Sequence, residues 1–167
     1  TAVSNGTTYY YGFYAYDTAG GYSSGVSYGA SPSLSSPSLW NLQSGNQQNT
    51  FTWYASGTSN AAGIRIVRKA GSLPFNFSDG TVVLNQSTTP GASGNVTDSS
   101  LQNGTTYYYA AYAWDSYGVY SAASTGSAKP AIPAPSIFSA TAGYNQVSLS
   151  WVNPSAGNLA SVKVLRK

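Results

Sequence analysis

The groups available for chemistry in this chain are few. It contains no His, no Cys and no Met, and its four acidic residues are all aspartates: Asp17, Asp79, Asp98 and Asp115. General acid–base work would fall on those four carboxylates and on tyrosine, because a nucleophile–base pair has no imidazole or thiolate to draw on. The spacing of the aspartates points elsewhere. Asp17 opens Asp17-Thr-Ala-Gly20 and Asp115 opens Asp115-Ser-Tyr-Gly118, while Asp79 stands directly before Gly80. Asp followed by Gly at these distances builds turns. A calcium site needs several oxygen ligands converging, and one Asp per loop does not supply them. Gly91-Ala-Ser-Gly94 lies between two short strand-like stretches and opens no helix, so it is not a phosphate loop. The expectation is a chain without catalytic residues, metal or cofactor, and not an enzyme.

Binding chemistry is better represented. Tyrosine accounts for 15 of the 167 residues. In Thr105–Trp114, alternation places Tyr107, Tyr109, Ala111 and Ala113 on one face and Tyr108, Ala110, Tyr112 and Trp114 on the other. A second segment carries Tyr10, Gly12, Tyr14 and Tyr16 at the outward positions. Arg65 and Lys69 fall on the outward side of the neighbouring Gly63–Lys69 stretch. Two readings fit. In one, the rings and cations stabilise a half-exposed sheet by cross-strand pairing and cation–π stacking. In the other, a contiguous aromatic face binds a neighbouring subunit or a carbohydrate. Five Asn-x-Ser/Thr sequons, at Asn5, Asn76, Asn85, Asn95 and Asn103, are glycosylation acceptors if they sit in accessible turns. Seven cations against four acids leave a net charge of +3, too sparse a set for a nucleic-acid surface. No apolar run reaches the roughly 20 residues that span a bilayer.

The elements that must hold these groups recur. Asn5-Gly-Thr-Thr-Tyr-Tyr-Tyr11 returns as Asn103-Gly-Thr-Thr-Tyr-Tyr-Tyr109, an offset of 103 − 5 = 98. Pro37-Ser-Leu39-Trp40 returns as Pro135-Ser-Ile137-Phe138, Trp53 as Trp151, and Arg68-Lys69 as Arg166-Lys167, all at the same offset. A period of that length suits one whole β domain per repeat and exceeds any solenoid unit. Residues 1–32 then read as the end of one repeat, 33–130 as a complete one and 131–167 as the start of the next, a window on a longer array. Prolines at Pro130, Pro133 and Pro135, and earlier at Pro32 and Pro37, mark semi-rigid junctions. Within 33–130 the pattern predicts seven strands: Ser38–Leu42, Thr50–Ala55, Gly63–Lys69, Thr81–Leu84, Gly94–Asp98, Thr105–Trp114 and Tyr117–Ser124.

The residues resemble the fibronectin type III family in its bacterial, tandem form. The resemblance rests on Trp53 and Trp151 at the second strand, and on Leu101 followed six residues later by Tyr107, the spacing of a tyrosine corner. It also rests on Asp98 to Asp115 as a whole and on Gly118-Val-Tyr-Ser121. One departure stands out. Ala62-Gly63 and Ala160-Ser161 occupy the place of the aromatic often found on the third strand. The resemblance implies an all-β, immunoglobulin-like antiparallel β-sandwich and an extracellular or cell-surface setting. The expected role is a structural or adhesive repeat, self-associating or contacting neighbouring repeats. The alternative is a spacer or carbohydrate-binding accessory module of a secreted polysaccharide-degrading enzyme.

Overall fold

The structure, a computed structural model of the chain, describes residues 3–167; residues 1 and 2 of the expected first piece lie outside the described residues. It is built of antiparallel strands, and among the described residues no helix is long and apolar enough to cross a membrane. The strands are β1 (Tyr9–Phe13), β2 (Val26–Ala30), β3 (Ser38–Gly45), β4 (Gln48–Tyr54), β5 (Ala61–Ala70), β6 (Thr81–Ser87), β7 (Ser93–Asp98), β8 (Tyr107–Asp115), β9 (Ser124–Ala128), β10 (Ser136–Gly143) and β11 (Gln146–Val152).

Residues 33–130 hold two sheets, one of order β3-β4-β7 and one of order β6-β5-β8-β9. Period-two alternation in β4 sends Phe51 and Trp53 inward and leaves Thr50 and Thr52 on the other side. Those rings meet Ile64 and Ile66 of β5 and Tyr109 and Ala111 of β8, so the two sheets share one core. Leu39 and Leu42 of β3, Val83 and Leu84 of β6, and Val96 of β7 close its margins. Two glycines make room for indoles. Trp53 packs onto Gly94 across the β4–β7 pair, where a Cβ would stand 2.5 Å from the ring. Trp114 lies over Gly63 in the same way, at 2.3 Å.

A buried polar chain crosses the core. The Tyr109 hydroxyl donates to Asp98 Oδ2 at 2.7 Å and accepts from Asn49 Nδ2 at 2.9 Å, and Arg68 pairs with the other oxygen of Asp98. Burial, followed by the neighbouring Asp98 carboxylate, holds the Tyr109 phenol well above its ordinary range. Arg68 also lies over the Tyr107 ring, 5.3 Å from its centroid. The Tyr107 hydroxyl in turn accepts from the Gln102 backbone N–H at 3.0 Å.

The closing strand differs from the sequence expectation. It runs Ser124–Ala128 rather than Tyr117–Ser124. Asp115 accepts from the backbone N–H groups of Tyr117 and Val119, and Ser121 Oγ accepts from Ala113 N. These bonds wind residues 116–123 into a loop whose one β-bridge to β8 is Trp114 to Tyr120. Pairing resumes only at Ala111 opposite Ser124.

The remaining strands form two separate hairpins, β1-β2 and β10-β11. Their bounds equal those of β8 (first five residues) with β9, and of β3 with β4, displaced by 98 residues. The bonds recur too. Ser4 N donates to the Tyr9 hydroxyl as Gln102 N does to Tyr107, and Ala15 N to Ser23 Oγ as Ala113 N does to Ser121. Gly6 N reaches Pro32 O as Gly104 N reaches Pro130 O.

Candidate functional site

The outward face of β5 and β8 is the site that the aromatic pattern singled out. The register sets Arg65 opposite Tyr112, Lys69 opposite Tyr108, Val67 opposite Ala110 and Gly63 opposite Trp114. Arg65, Lys69, Tyr108, Tyr112 and Trp114 therefore do share one face, as alternation requires.

The face is not an open stripe, and this corrects the expectation of contiguous exposed rings. Residues 71–80, which link β5 to β6, fold back over it. Phe77 stacks on Tyr120 with ring centroids 3.8 Å apart and an interplanar angle of 7°, and meets Tyr112 edge-on at 6.3 Å. Tyr112 is only 6% exposed, Val67 and Ala110 are buried with it, and Tyr108 and Trp114 are partly covered. The two cations serve the loop and do not stack on rings. Arg65 Nε donates to Phe77 O at 2.8 Å. Lys69 Nζ bonds both oxygens of Asp79, and Asp79 Oδ2 also accepts from Phe75 N at 2.8 Å. The Phe75 N–H bond and the Lys69 ammonium hold the Asp79 carboxyl below its ordinary range. Burial, with the Asp79 charge nearby, pushes the Tyr112 phenol up. The loop residues Phe75, Phe77 and Asp79 were not legible as a cover, since their role depends on a long-range fold-back with no local periodic signal.

The matching residues of the first hairpin present the opposite case. Tyr10, Tyr14 and Tyr16 are exposed, Tyr10 to 81%. Tyr14 bends over Gly25, and Tyr16 pairs with Tyr22 at 5.7 Å.

The aspartates act as turn-formers or as internal partners. Asp17 Oδ1 accepts from Ala19 N and Gly21 N, as Asp115 Oδ1 does from Tyr117 N and Val119 N. Among the described residues no three His, Cys, Asp or Glu side chains come together. The sequons divide into two kinds. Asn5 is buried with its amide donating to Asp115, and Asn103 bonds Asn46 and the Gln47 N–H. Both side chains are engaged, contrary to the expectation of open turns. Asn76 Oδ1 accepts from Ser78 N within its own turn. Asn85 and Asn95 are exposed, on strands β6 and β7.

The sequence pattern missed Trp40, which stands exposed on β3. By sequence offset Phe138 matches it, but in the third hairpin Ser139, not Phe138, stands opposite Ser150.

No protein-family model matches the chain, and no curated protein matches it. Among solved structures, 21 chains match. One is described as a myokine structure, 14% identical over 59% of this chain and 99% of that chain, with a TM-score of 0.40. Another is Astrotactin-2, described as a vertebrate perforin-like membrane protein involved in neuronal development, 16% identical over 57% of this chain, with a TM-score of 0.42. A third is the FN1–FN3 segment of chicken CNTN1, 18% identical over 89% of this chain, with a TM-score of 0.34. The match spans 21% of the Astrotactin-2 chain and 55% of the CNTN1 segment.

Proposed function

We propose that the chain is a non-catalytic stretch of a tandem array of fibronectin type III-like β-sandwiches, serving outside the cell as a structural or adhesive repeat. The carrying observation is the recurrence, 98 residues apart, of strand bounds and of side-chain-to-backbone bonds. The bonds join residues that the sequence repeat itself conserves, Tyr9 and Tyr107, Ser23 and Ser121. Seven strands in residues 33–130, divided three and four, fit an immunoglobulin-like sandwich whose fourth strand has moved to the second sheet. The Tyr107 bond to Gln102 N is the bond a tyrosine corner makes. In this reading residues 1–32 end one repeat, 33–130 are one repeat and 131–167 begin another. The roles assigned to the aspartates, all turn or core partners, favour a scaffold over an enzyme.

A concatemer of residues 33–130, stretched by single-molecule force spectroscopy, tests the proposal. Each repeat should unfold as a unit and release about 33 nm of chain, from roughly 3.4 Å per residue. Partial, irregular increments would show that 33–130 is not the repeating unit.

A second reading, an accessory module that holds polysaccharide, is favoured by the exposed Trp40 on a sheet face without charges, and is developed next.

A further inference from the structure

The outward face of the β3-β4-β7 sheet has a chemistry unlike that of the β5–β8 face. No loop folds over it to bury Trp40. The only charged side chain on its three strands is Asp98, which turns inward to Tyr109 and Arg68. The register aligns Trp40, Thr52 and Asn95 in one row across the sheet, and Gln43, Thr50 and Thr97 in the next. Thr52 Oγ1 donates to Asn95 Oδ1 at 2.8 Å, which leaves the Asn95 NH₂ group turned to solvent. A shallow groove of about 260 Å³ runs over these rows, lined by Asn41, Thr50, Thr52, Asn95 and Thr97 above the backs of Phe51 and Val96.

Trp40 is not part of the groove lining but stands in register with Thr52, which is, and it is 64% exposed, with no aromatic partner among the described residues. Its backbone is shaped for the position. Between Trp40 opposite Thr52 and Gln43 opposite Thr50, β3 has two residues where β4 has one. This bulge turns both Leu39 and Leu42 to the core while Trp40 faces out. Asn41 takes a left-handed φ of 52°, which Asn adopts more readily than most residues with a Cβ, and its side chain accepts from Gln43 Nε2 at 2.8 Å. An indole left mostly exposed on a sheet face contributes less to the core than a buried one such as Trp53. The third copy does not repeat this arrangement: its bulge falls earlier, Ser139 rather than Phe138 stands opposite Ser150, and Phe138 lies with Val147 and Leu149, so the face belongs to residues 33–130.

We propose that this face binds a neutral polysaccharide. A pyranose ring has one face of C–H groups that lies on an indole, and an edge of hydroxyls that both donate and accept. Thr hydroxyls and the Asn and Gln amides answer those hydroxyls in both senses. Two strand spacings, about 10 Å, are enough for two sugar rings across the rows. The absence of cations disfavours acidic polymers. Tyr54, exposed on the same outward side of β4 as Thr52, adds a second ring on which a sugar can stack. The proposal deepens the accessory-module reading and does not depend on the array reading.

The 167-residue chain, produced in a host that does not glycosylate Asn95, should be run in native gels containing xylan, mannan or a soluble β-glucan, and pulled down on cellulose and chitin. At least one of these should retain it. Trp40→Ala should weaken that binding tenfold or more, Trp40→Phe should keep most of it, and Thr52→Val should weaken it severalfold. Tyr117→Ala, which removes an exposed ring elsewhere, should change nothing. Circular dichroism of each variant establishes that the fold persists. Retention by none of the five polymers overturns the proposal, as does undiminished binding by folded Trp40→Ala or equal loss in Tyr117→Ala. None of these outcomes bears on the 33–130 unfolding unit, which the stretching experiment reads separately.

Discussion

At the scale of single residues, the core carries one polar decision that its repeats make differently. Asn49 donates to the Tyr109 hydroxyl, but its own Oδ1 is buried without a partner. The third copy has Val147 at this position. An unpaired buried acceptor costs about 1–3 kcal/mol, so Asn49 spends on one group part of what it gains through the other. Tyr109→Phe should remove the donor to Asp98 and the acceptor for Asn49 together, and lower stability by about 1–3 kcal/mol. Asn49→Val should cost clearly less, because it also removes the orphaned oxygen. Urea unfolding of the two variants gives the comparison, and a costlier Asn49→Val would mean that the Asn49 bond dominates the network. That Tyr109 would be inward was legible from alternation alone. Its partners were not, because Asn49, Asp98 and Arg68 come from three strands and meet only through the packing of two sheets. Gly63 shows the same limit. Its role, clearing space for Trp114, is invisible without the β5–β8 register.

At the scale of elements, residues 71–80 behave as a cover latched by charge. The strands beneath were readable from their period, and so was the shared face of Arg65, Lys69, Tyr108, Tyr112 and Trp114. What alternation cannot report is whether a loop lies on that face, so Tyr112 was assigned to solvent and is buried. The latch is Asp79, with its bonds to Lys69 and Phe75 N. Lys69 faces it from β5 and the Tyr112 phenol lies within its field from β8, while Arg65 of β5 bonds Phe77 O of the same loop. Its carboxyl is held below the ordinary value of 3.8, the usual carboxylate case. The contribution is therefore fully present above that value and is lost as pH falls through the lower folded value. The loop should stay closed at neutral and mildly acidic pH and loosen only below about pH 4. Amide exchange at Phe75, followed by NMR against a pH series corrected for intrinsic rates, reads the opening directly. Asp79→Asn should expose Phe75 N–H at neutral pH and flatten the pH dependence. Protection unchanged in Asp79→Asn would leave the Phe77 stacking and the Arg65 bond to Phe77 O as the fastenings.

At the scale of the whole molecule, equal residues sit in unequal surroundings. Trp53 is 3% exposed between two sheets, while Trp151, its counterpart 98 residues on, is 39% exposed on a hairpin with no facing sheet. Tyr109 and Tyr11 differ in the same way, as do Phe51 and Leu149. A lone two-stranded hairpin is marginal in water, because one bare face cannot offset the entropy of ordering it. The stability of the chain should therefore reside in residues 33–130, and the flanking hairpins should add exposed apolar area and little free energy. A protein of residues 33–130 alone should melt within a few degrees of the 167-residue chain, since a change of 1 kcal/mol moves the midpoint of a domain this size by about 4–8 °C. The full chain should bind an apolar dye such as ANS and self-associate at micromolar concentration, and the 33–130 protein should do neither, because contiguous exposed apolar patches drive both. Differential scanning calorimetry, dye fluorescence and sedimentation velocity provide the three readings. A melting midpoint for 33–130 more than about 10 °C below that of the chain would show that the hairpins are structural parts of the same cooperative unit. In that case the 98-residue period would describe the ancestry of the sequence, and the folding unit would be larger than one period.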